Sequence, residues 1–346
     1  DIHLMRVDRP NNEENEYPPS ALTRGDAGRN WAPEWSPDGS DRVVFASTRH
    51  GNYEIYVGNI VAMQNDAAYE PYRVTTNEHM DVLPQWSPDG ARIAFTSWQG
   101  DHKHVWVVDA DGTNLERVTS GPAGTENGLG TWSPDGTKIA FVSNRGGGYD
   151  VYMMDAAGEN GRNGNVEQIT DEQAPDHWLW PDWSPLLSQT PEPVQALACP
   201  MEDTAILFSS SSGGADHHIV KVDSDCGTPH QRLTDYPSGH MDWSPDGTKV
   251  AYTRGLGNNF EIFVMDADGS NQTRMTYNDS HDAQPTWSPD GRHIAFESSR
   301  IGSSATWDIH LMRVDRPNNE ENEYPPSALT RGDAGRNWAP EWSPDG

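Results

Sequence analysis

Four groups of histidines and carboxylates recur at one place in this chain: His79 with Asp81, Asp176 with His177, His240 alone, and His281 with Asp282. Each lies a few residues before the Trp of a recurring Trp-Ser-Pro triplet. Imidazoles and carboxylates brought together can hold a cation or receive a basic group of a partner protein. Trp178 and Trp180 share the position, and exposed tryptophan is the commonest kind of binding hot spot. These nine residues form the candidate partner-binding set. The competing readings are solvated polar loops for the charged residues and packing between units for the tryptophans.

Other chemistry finds less support in the residues. Asp109, Asp111 and Asn114, like Asp266, Asp268 and Asn271, resemble the opening of an EF-hand loop, which would make Ca2+ a candidate ligand. Ser120 and Tyr277 stand where its bidentate Glu belongs, so plain hairpin turns are expected there and no metal ligands are assigned. A Gly-x-Ser-x-Gly elbow, a Gly-rich phosphate loop and a paired-His zinc helix are all missing from the sequence. No catalytic or cofactor-binding residue is assigned, and a non-enzymatic protein is expected.

The elements that must position these residues come from a repeat. Trp-Ser-Pro occurs at Trp35, Trp86, Trp132, Trp183, Trp243, Trp287 and Trp342, at spacings of 51, 46, 51, 60, 44 and 55 residues. A period near 50 with short strands is the signature of a propeller. In Trp-Ser-Pro-Asp-Gly, the Ser, Pro and Gly occupy the positions that a type I turn prefers. A short apolar strand follows, as in Ile93-Ala94-Phe95 or Ile294-Ala295-Phe296. A strand apolar on both sides is one sandwiched between two sheets. A third strand, such as Val105-Trp106-Val107-Val108, and a polar fourth ending on Thr complete the unit.

This unit closely resembles the TolB-type propeller repeat, which the propellers of tricorn and prolyl oligopeptidase-like peptidases also use. The resemblance covers essentially the whole chain and implies an all-β, six-bladed propeller of four-stranded antiparallel blades. The expected organisation is a half blade at 1–30, blades near 31–80, 81–127, 128–177, 178–238, 239–281 and 282–337, and the first strand of a repeated blade at 338–346. The resemblance also implies that peptidase chemistry would reside in a separate hydrolase domain. TolB itself carries an added α/β domain that is not visible in these residues.

Residues 1–39 recur without a difference at 308–346, a period of 307 residues that matches the sum of the six spacings. Loops tolerate change, so identity through a segment such as Arg9 to Glu16 points to recent duplication, a tandem array, or one segment counted twice. Both copies supply the third and fourth strands of a blade, and one blade position cannot hold both. One copy is therefore expected outside the ring. The start at Asp1, within a strand-like segment and without Met, reads as a processed product or a window cut from something longer.

The chain carries 53 acidic and 24 basic residues, a formal charge of -29. That balance repels phosphate backbones and anionic lipid, so nucleic acid is excluded as a partner and membrane insertion is not expected. No apolar run approaches the length needed to span a bilayer. Cys199 and Cys226 fall in the same irregular unit, in two loops that emerge on the same face, so a disulfide is expected, with two unrelated thiols as the alternative. A bridge would indicate an oxidising, extracellular or periplasmic setting. The insertions Val7 to Pro19, Asn59 to Pro71, Asp155 to Asn165 and Leu186 to Asp203 gather on the face opposite the candidate set. The leading expectation is an extracellular scaffold whose partners are copies of itself in a tandem or filamentous array. The alternatives are a TolB-like periplasmic adaptor that binds a partner protein through one face, and the propeller of a peptidase whose catalytic domain lies elsewhere.

Overall fold

In the computed structural model, the described residues are 2–4, 20–23, 28–66, 68–100, 102–156, 165–170, 181–185, 204–210, 217–223, 230–300, 307–316, 325–330 and 340–345. Cys199 and Cys226, and with them the expected disulfide, lie outside these residues.

The repeated turn sets each blade in place. In Ser87-Pro88-Asp89-Gly90 the Gly90 N–H donates to the Ser87 carbonyl at 2.8 Å, and the same bond recurs at Gly136, Gly247 and Gly291. The aspartate side chain staples the turn: Asp89 Oδ1 accepts from the Ser87 hydroxyl at 2.6 Å and from the Ala91 N–H at 3.0 Å. The closing glycine takes a φ of +66° at Gly90 and +72° at Gly39, a region in which a side chain would be strained.

Six four-stranded antiparallel sheets follow one another along the chain. Blade 1 contains Asn30–Trp35, Arg42–His50, Asn52–Asn59 and Tyr72–Arg73; blade 2 contains Met80–Trp86, Arg92–Gln99, His102–Asp109 and Glu116–Arg117. Blade 3 spans Asn127–Trp132 to Glu167–Gln168, blade 4 Asp182–Trp183 to Gln231–Arg232, blade 5 Ser238–Trp243 to Thr273–Arg274, and blade 6 Asp282–Trp287 to Ser327–Ala328. The chain is therefore an all-β, six-bladed propeller. The only helix among the described residues, Ile60–Asn65, sits in the Asn59 to Pro71 insertion and is capped by Asn59, whose side chain accepts from the Ala62 N–H.

The cores lie between blades rather than within them. The second strand of every blade carries one fully buried aromatic ring, Phe45, Phe95, Phe141, Phe208, Tyr252 or Phe296, each 0 or 1% exposed. The cluster between blades 1 and 2 joins Val44, Ala46, Ile55 and Val57 to Trp86, Ile93 and Phe95, and equivalent clusters join the blades that follow. The repeated Trp reaches back onto the preceding blade. Trp86 Nε1 donates to the Glu34 carbonyl and Trp183 Nε1 to the Thr131 carbonyl, both at 3.3 Å. Arg42 and Arg92 of the preceding blades lie 4.7 and 4.6 Å from the ring centroids of Trp86 and Trp132.

The duplicated ends divide as strand bookkeeping requires. Residues Asp308–Arg313 and Ser327–Ala328 complete blade 6. Their N-terminal duplicates form a separate two-stranded sheet, His3–Leu4 with Ser20–Ala21, outside the six blades. Ile2 and Leu22 of that sheet pack on Val43, Phe45 and Tyr56 of blade 1. At the other end Trp342 packs on blade 6 and donates from Nε1 to the Thr286 carbonyl at 3.2 Å, repeating the bond made by Trp86 and Trp183.

Deleting a buried tryptophan costs about 3–5 kcal/mol. Urea denaturation of Trp132→Ala should show a loss of that size, because Trp132 is 5% exposed. Trp342, only half-buried, should cost clearly less as Trp342→Ala.

Candidate functional site

The first strands of successive blades contact one another and so meet at the propeller axis. Each described first strand except the two-residue Asp182–Trp183 carries a register shift. The residue at that bulge has positive φ: Ala32, Leu83, Leu129, His240 and Gln284. The bulge re-aims the strand and presents two residues per blade to the axis, the bulge residue and the one just before Trp. The second series reads Glu34, Gln85, Thr131, Asp182, Asp242, Thr286 and Glu341.

Four of those seven are carboxylates, and two of them also fasten the blades. Glu34 Oε2 accepts the Trp86 N–H at 2.7 Å and Asp242 Oδ2 accepts the Trp287 N–H at 2.6 Å. Glu341 keeps an exposed side chain and the other three are half-buried, so all four still touch solvent while protein surrounds them. That enclosure is the main cause that pushes their pKa values up, and for Glu34, Asp182 and Glu341 repulsion from a neighbouring carboxylate adds to it. Asp242 is raised to about 6 and Glu341 to about 8. Glu34 and Asp182 are raised well above the carboxylate range, by enclosure first and then by repulsion from Glu341 and Asp242 respectively. These carboxylates were not singled out from the sequence, although a fixed offset of one residue before each Trp marks them.

The candidate set drawn from the sequence splits. Asp282 is fully buried and accepts from the Asn278 amide at 2.6 Å, the Ser298 hydroxyl at 2.5 Å and Arg300 at 2.5 Å. Asn127 takes the same place in blade 3 and accepts from Arg145 at 2.8 Å. Asp81 is also fully buried. Its blade has Gln99 where blades 1, 3 and 6 have Arg49, Arg145 and Arg300; it accepts from Asn77 at 2.7 Å, and burial raises its pKa. Both aspartates tie the first strand to its entry loop.

The histidines are less buried than these two aspartates. His240 is exposed along the axis, and enclosure together with His217 lowers its pKa. His79 is half-buried in the loop held by Asn77 and Asn52. His281 stacks between Phe260 and Trp307 at ring distances of 5.3 and 6.0 Å. Asp176, His177, Trp178 and Trp180 lie outside the described residues. In the Asp-Gly turns the carboxylates accept from the turns' own donors, as Asp109 does from Asn114 at 2.7 Å and Asp266 from Asn271 at 2.6 Å. Among the described residues no group of three or more His, Cys, Asp or Glu is placed to hold a metal ion.

The model of the TolB beta propeller domain matches residues 22–128, 61–186 and 231–346. The chain belongs to that family. The Tol-Pal system protein TolB of Anaeromyxobacter dehalogenans is 36% identical over 92 residues, 27% of this chain and 19% of that protein. The curated relatives that match are thus covered over only 19 to 32% of their length. Among solved structures, TolB of Acinetobacter baumannii is 19% identical, covering 84% of this chain and 62% of that one, with a TM-score of 0.50. A puromycin-hydrolyzing peptidase of Mycobacterium tuberculosis is 14% identical, covering 93% of this chain and 48% of that one, with a TM-score of 0.64. At such identities the likeness to the solved structures concerns the fold alone.

The raised carboxyl groups give stability a definite pH dependence. A carboxyl whose folded pKa lies above its unfolded value binds extra protons when native, so stability falls as pH rises from about 4 through that folded pKa. For Asp242 and Glu341 the decline runs to about 6 and about 8. The turn aspartates Asp89, Asp246 and Asp290 behave oppositely. Their seryl hydrogen bonds hold their pKa values low, so their contribution is lost on acidification below about pH 4. Thermal melts should show greatest stability near about pH 5 and a decline toward pH 8, which Asp242→Asn should flatten. A melting temperature that climbs steadily to pH 8 would contradict this.

Proposed function

We propose that this chain is a non-enzymatic binding propeller, an adaptor whose acidic axial channel receives a basic segment of a partner protein. The observation that carries the reading is the set of Glu34, Asp182, Asp242 and Glu341, enclosed together with their pKa values raised. A Lys- or Arg-bearing segment entering the channel would relieve their repulsion and restore their charge. A chain with a formal charge of -29 would also draw such a segment in from a distance. His79, His240 and His281, at or just before the first strands of their blades, would line the mouth through which it passes, and Asp176, His177, Trp178 and Trp180 precede the same strand in blade 4. Family membership and the Tol-Pal system relative support an adaptor in a cell-envelope, periplasmic or extracellular setting. No helix among the described residues is long and apolar enough to cross a membrane.

A second reading, assembly with further copies into a tandem or filamentous scaffold, rests on a different observation. The duplicated ends occupy the seats that a neighbouring blade would fill on blades 1 and 6. A head-to-tail contact whose rotation does not close gives a filament. Electron microscopy and analytical ultracentrifugation of the purified chain separate the two readings, through extended polymers or a discrete particle.

Calorimetric titration with an Arg/Lys-rich peptide should give saturable binding that weakens steeply with added salt. The Asp182→Asn/Asp242→Asn double variant should bind at least about tenfold more weakly, equivalent to about 1.4 kcal/mol. A basic peptide that binds no better than a neutral one, or equally well to the double variant, would overturn the adaptor reading.

A further inference from the structure

Every blade fastens its third strand to its fourth in one way. A Thr hydroxyl accepts the N–H of the third strand's first buried aliphatic residue: Thr75 from Ile55, Thr119 from Val105, Thr170 from Val151, Thr234 from Ile219, Thr276 from Ile262 and Thr330 from Ile309. In four blades the residue just before that aliphatic one is an acid, to which the same hydroxyl donates. Thr75 donates to Glu54 at 2.5 Å, Thr170 to Asp150 at 3.0 Å, Thr330 to Asp308 at 2.8 Å, and Thr276 to Glu261. In three of these blades the acid also takes a donor from the fourth strand. Arg73 meets Glu54 and Arg274 meets Glu261, each at 2.9 Å, and Gln168 donates to Asp150 at 3.2 Å.

Blade 2 keeps the donors and lacks the acid. Its residue before Val105 is His104, while Arg117 and Thr119 stand where Arg73 and Thr75 stand in blade 1. The Thr119 hydroxyl, 1% exposed, has only the Val105 carbonyl at 3.5 Å to donate to. Among the described residues Arg117 makes no ion pair. Blade 4 also carries a histidine there, but its Arg232 reaches His218 at 3.0 Å and pairs with Asp235. Outside the blade 2 fastening lies a pocket of about 150 Å³ lined by His102, His104, Arg117 and the Ser120–Thr125 loop. It gathers a guanidinium and two imidazoles in an otherwise acidic protein. His104 leans against Asn127 of the next blade at 3.4 Å, and burial, with Arg117 and His102 adding to it, holds its pKa low.

We propose that this pocket binds a carboxylate group, held by the Arg117 guanidinium and the His102 and His104 imidazoles, which takes the place of the acid that four sister blades supply themselves. The bidentate match between guanidinium and carboxylate favours that ligand class. The volume admits a small carboxylic acid or one Asp or Glu side chain, and excludes a large ligand. The site is distinct from the axial channel and has the opposite charge, so it stands or falls apart from the adaptor reading.

The test follows the histidine ring resonances of the whole chain by NMR at pH 6.5 and constant ionic strength. Sodium acetate is titrated in one arm and the capped tripeptide acetyl-Ala-Glu-Ala-amide in another, with sodium chloride as the reference. Saturable shifts of His102 and His104 with either carboxylate, and none with chloride, support the site, and the arm that saturates tells a free acid from a protein side chain. His104→Glu, which restores the residue type of blades 1 and 5, should raise the melting temperature and weaken binding more than tenfold. Arg117→Gln, which copies Gln168 of blade 3, should weaken it comparably and serves if the first variant folds poorly. Shifts that are absent in both arms, match those with chloride, or persist undiminished in these variants would overturn the proposal.

Discussion

No blade of this propeller can bury its own faces. A four-stranded sheet with an apolar second strand presents hydrophobic surface on both sides, and only the blades before and after can cover it. The Trp of each repeat meets this constraint by reaching back to the preceding blade, which covers its ring, and the indoles of Trp86 and Trp183 also find carbonyl acceptors there. Exposure records the dependence. Five of the repeat tryptophans, which have a full blade behind them or close to it, are 4 to 6% exposed, whereas Trp35, with only the two-stranded sheet behind it, is half-buried.

The same constraint joins fold to function. Where the acceptor for the next Trp N–H is Glu34 or Asp242, the fastening sets a carboxyl group at the axis. Repetition then gathers carboxyl groups there, because Asp182 and Glu341 hold the same position before their own Trp. Blade 2 shows the converse. One exchange, an acid for His104, removes an internal ion pair and turns a fastening into a cationic pocket without altering the strand register, in which Ser97 still faces His104 as Ser47 faces Glu54.

Much of this was legible in the residues. The Trp-Ser-Pro-Asp-Gly turn, the apolar second strand and the closing Thr each rest on local chemistry, so blade number and strand order follow from their recurrence. The division of the duplicated ends followed from the same strand counting. The site was less legible because acceptors and donors meet across loops. Asp81 and Asp282 read as mouth residues from their offset, yet Asn77, Asn278 and Arg300 occupy them, and the loop folding that brings those donors close leaves no periodic trace. The axial carboxylates did leave one, the residue before each Trp. They were overlooked because a lone acid beside Trp resembles any polar residue until the first strands are seen to converge. The short helix at Ile60–Asn65 lies within an insertion outside the repeat, where periodicity has nothing to say.

The central claim is that the Trp backbone amide at the axis fastens blades 2 and 6 to the blades before them. Native-state hydrogen exchange resolved at single residues tests it most directly. The amides of Trp86 and Trp287 should exchange only in the global unfolding event, as slowly as the fully buried second strands beside them. If those two amides exchange as fast as the exposed Asp-Gly turns while the second strands stay protected, the fastening is not what holds these blades together, and the account of both the fold and its acidic axis is wrong.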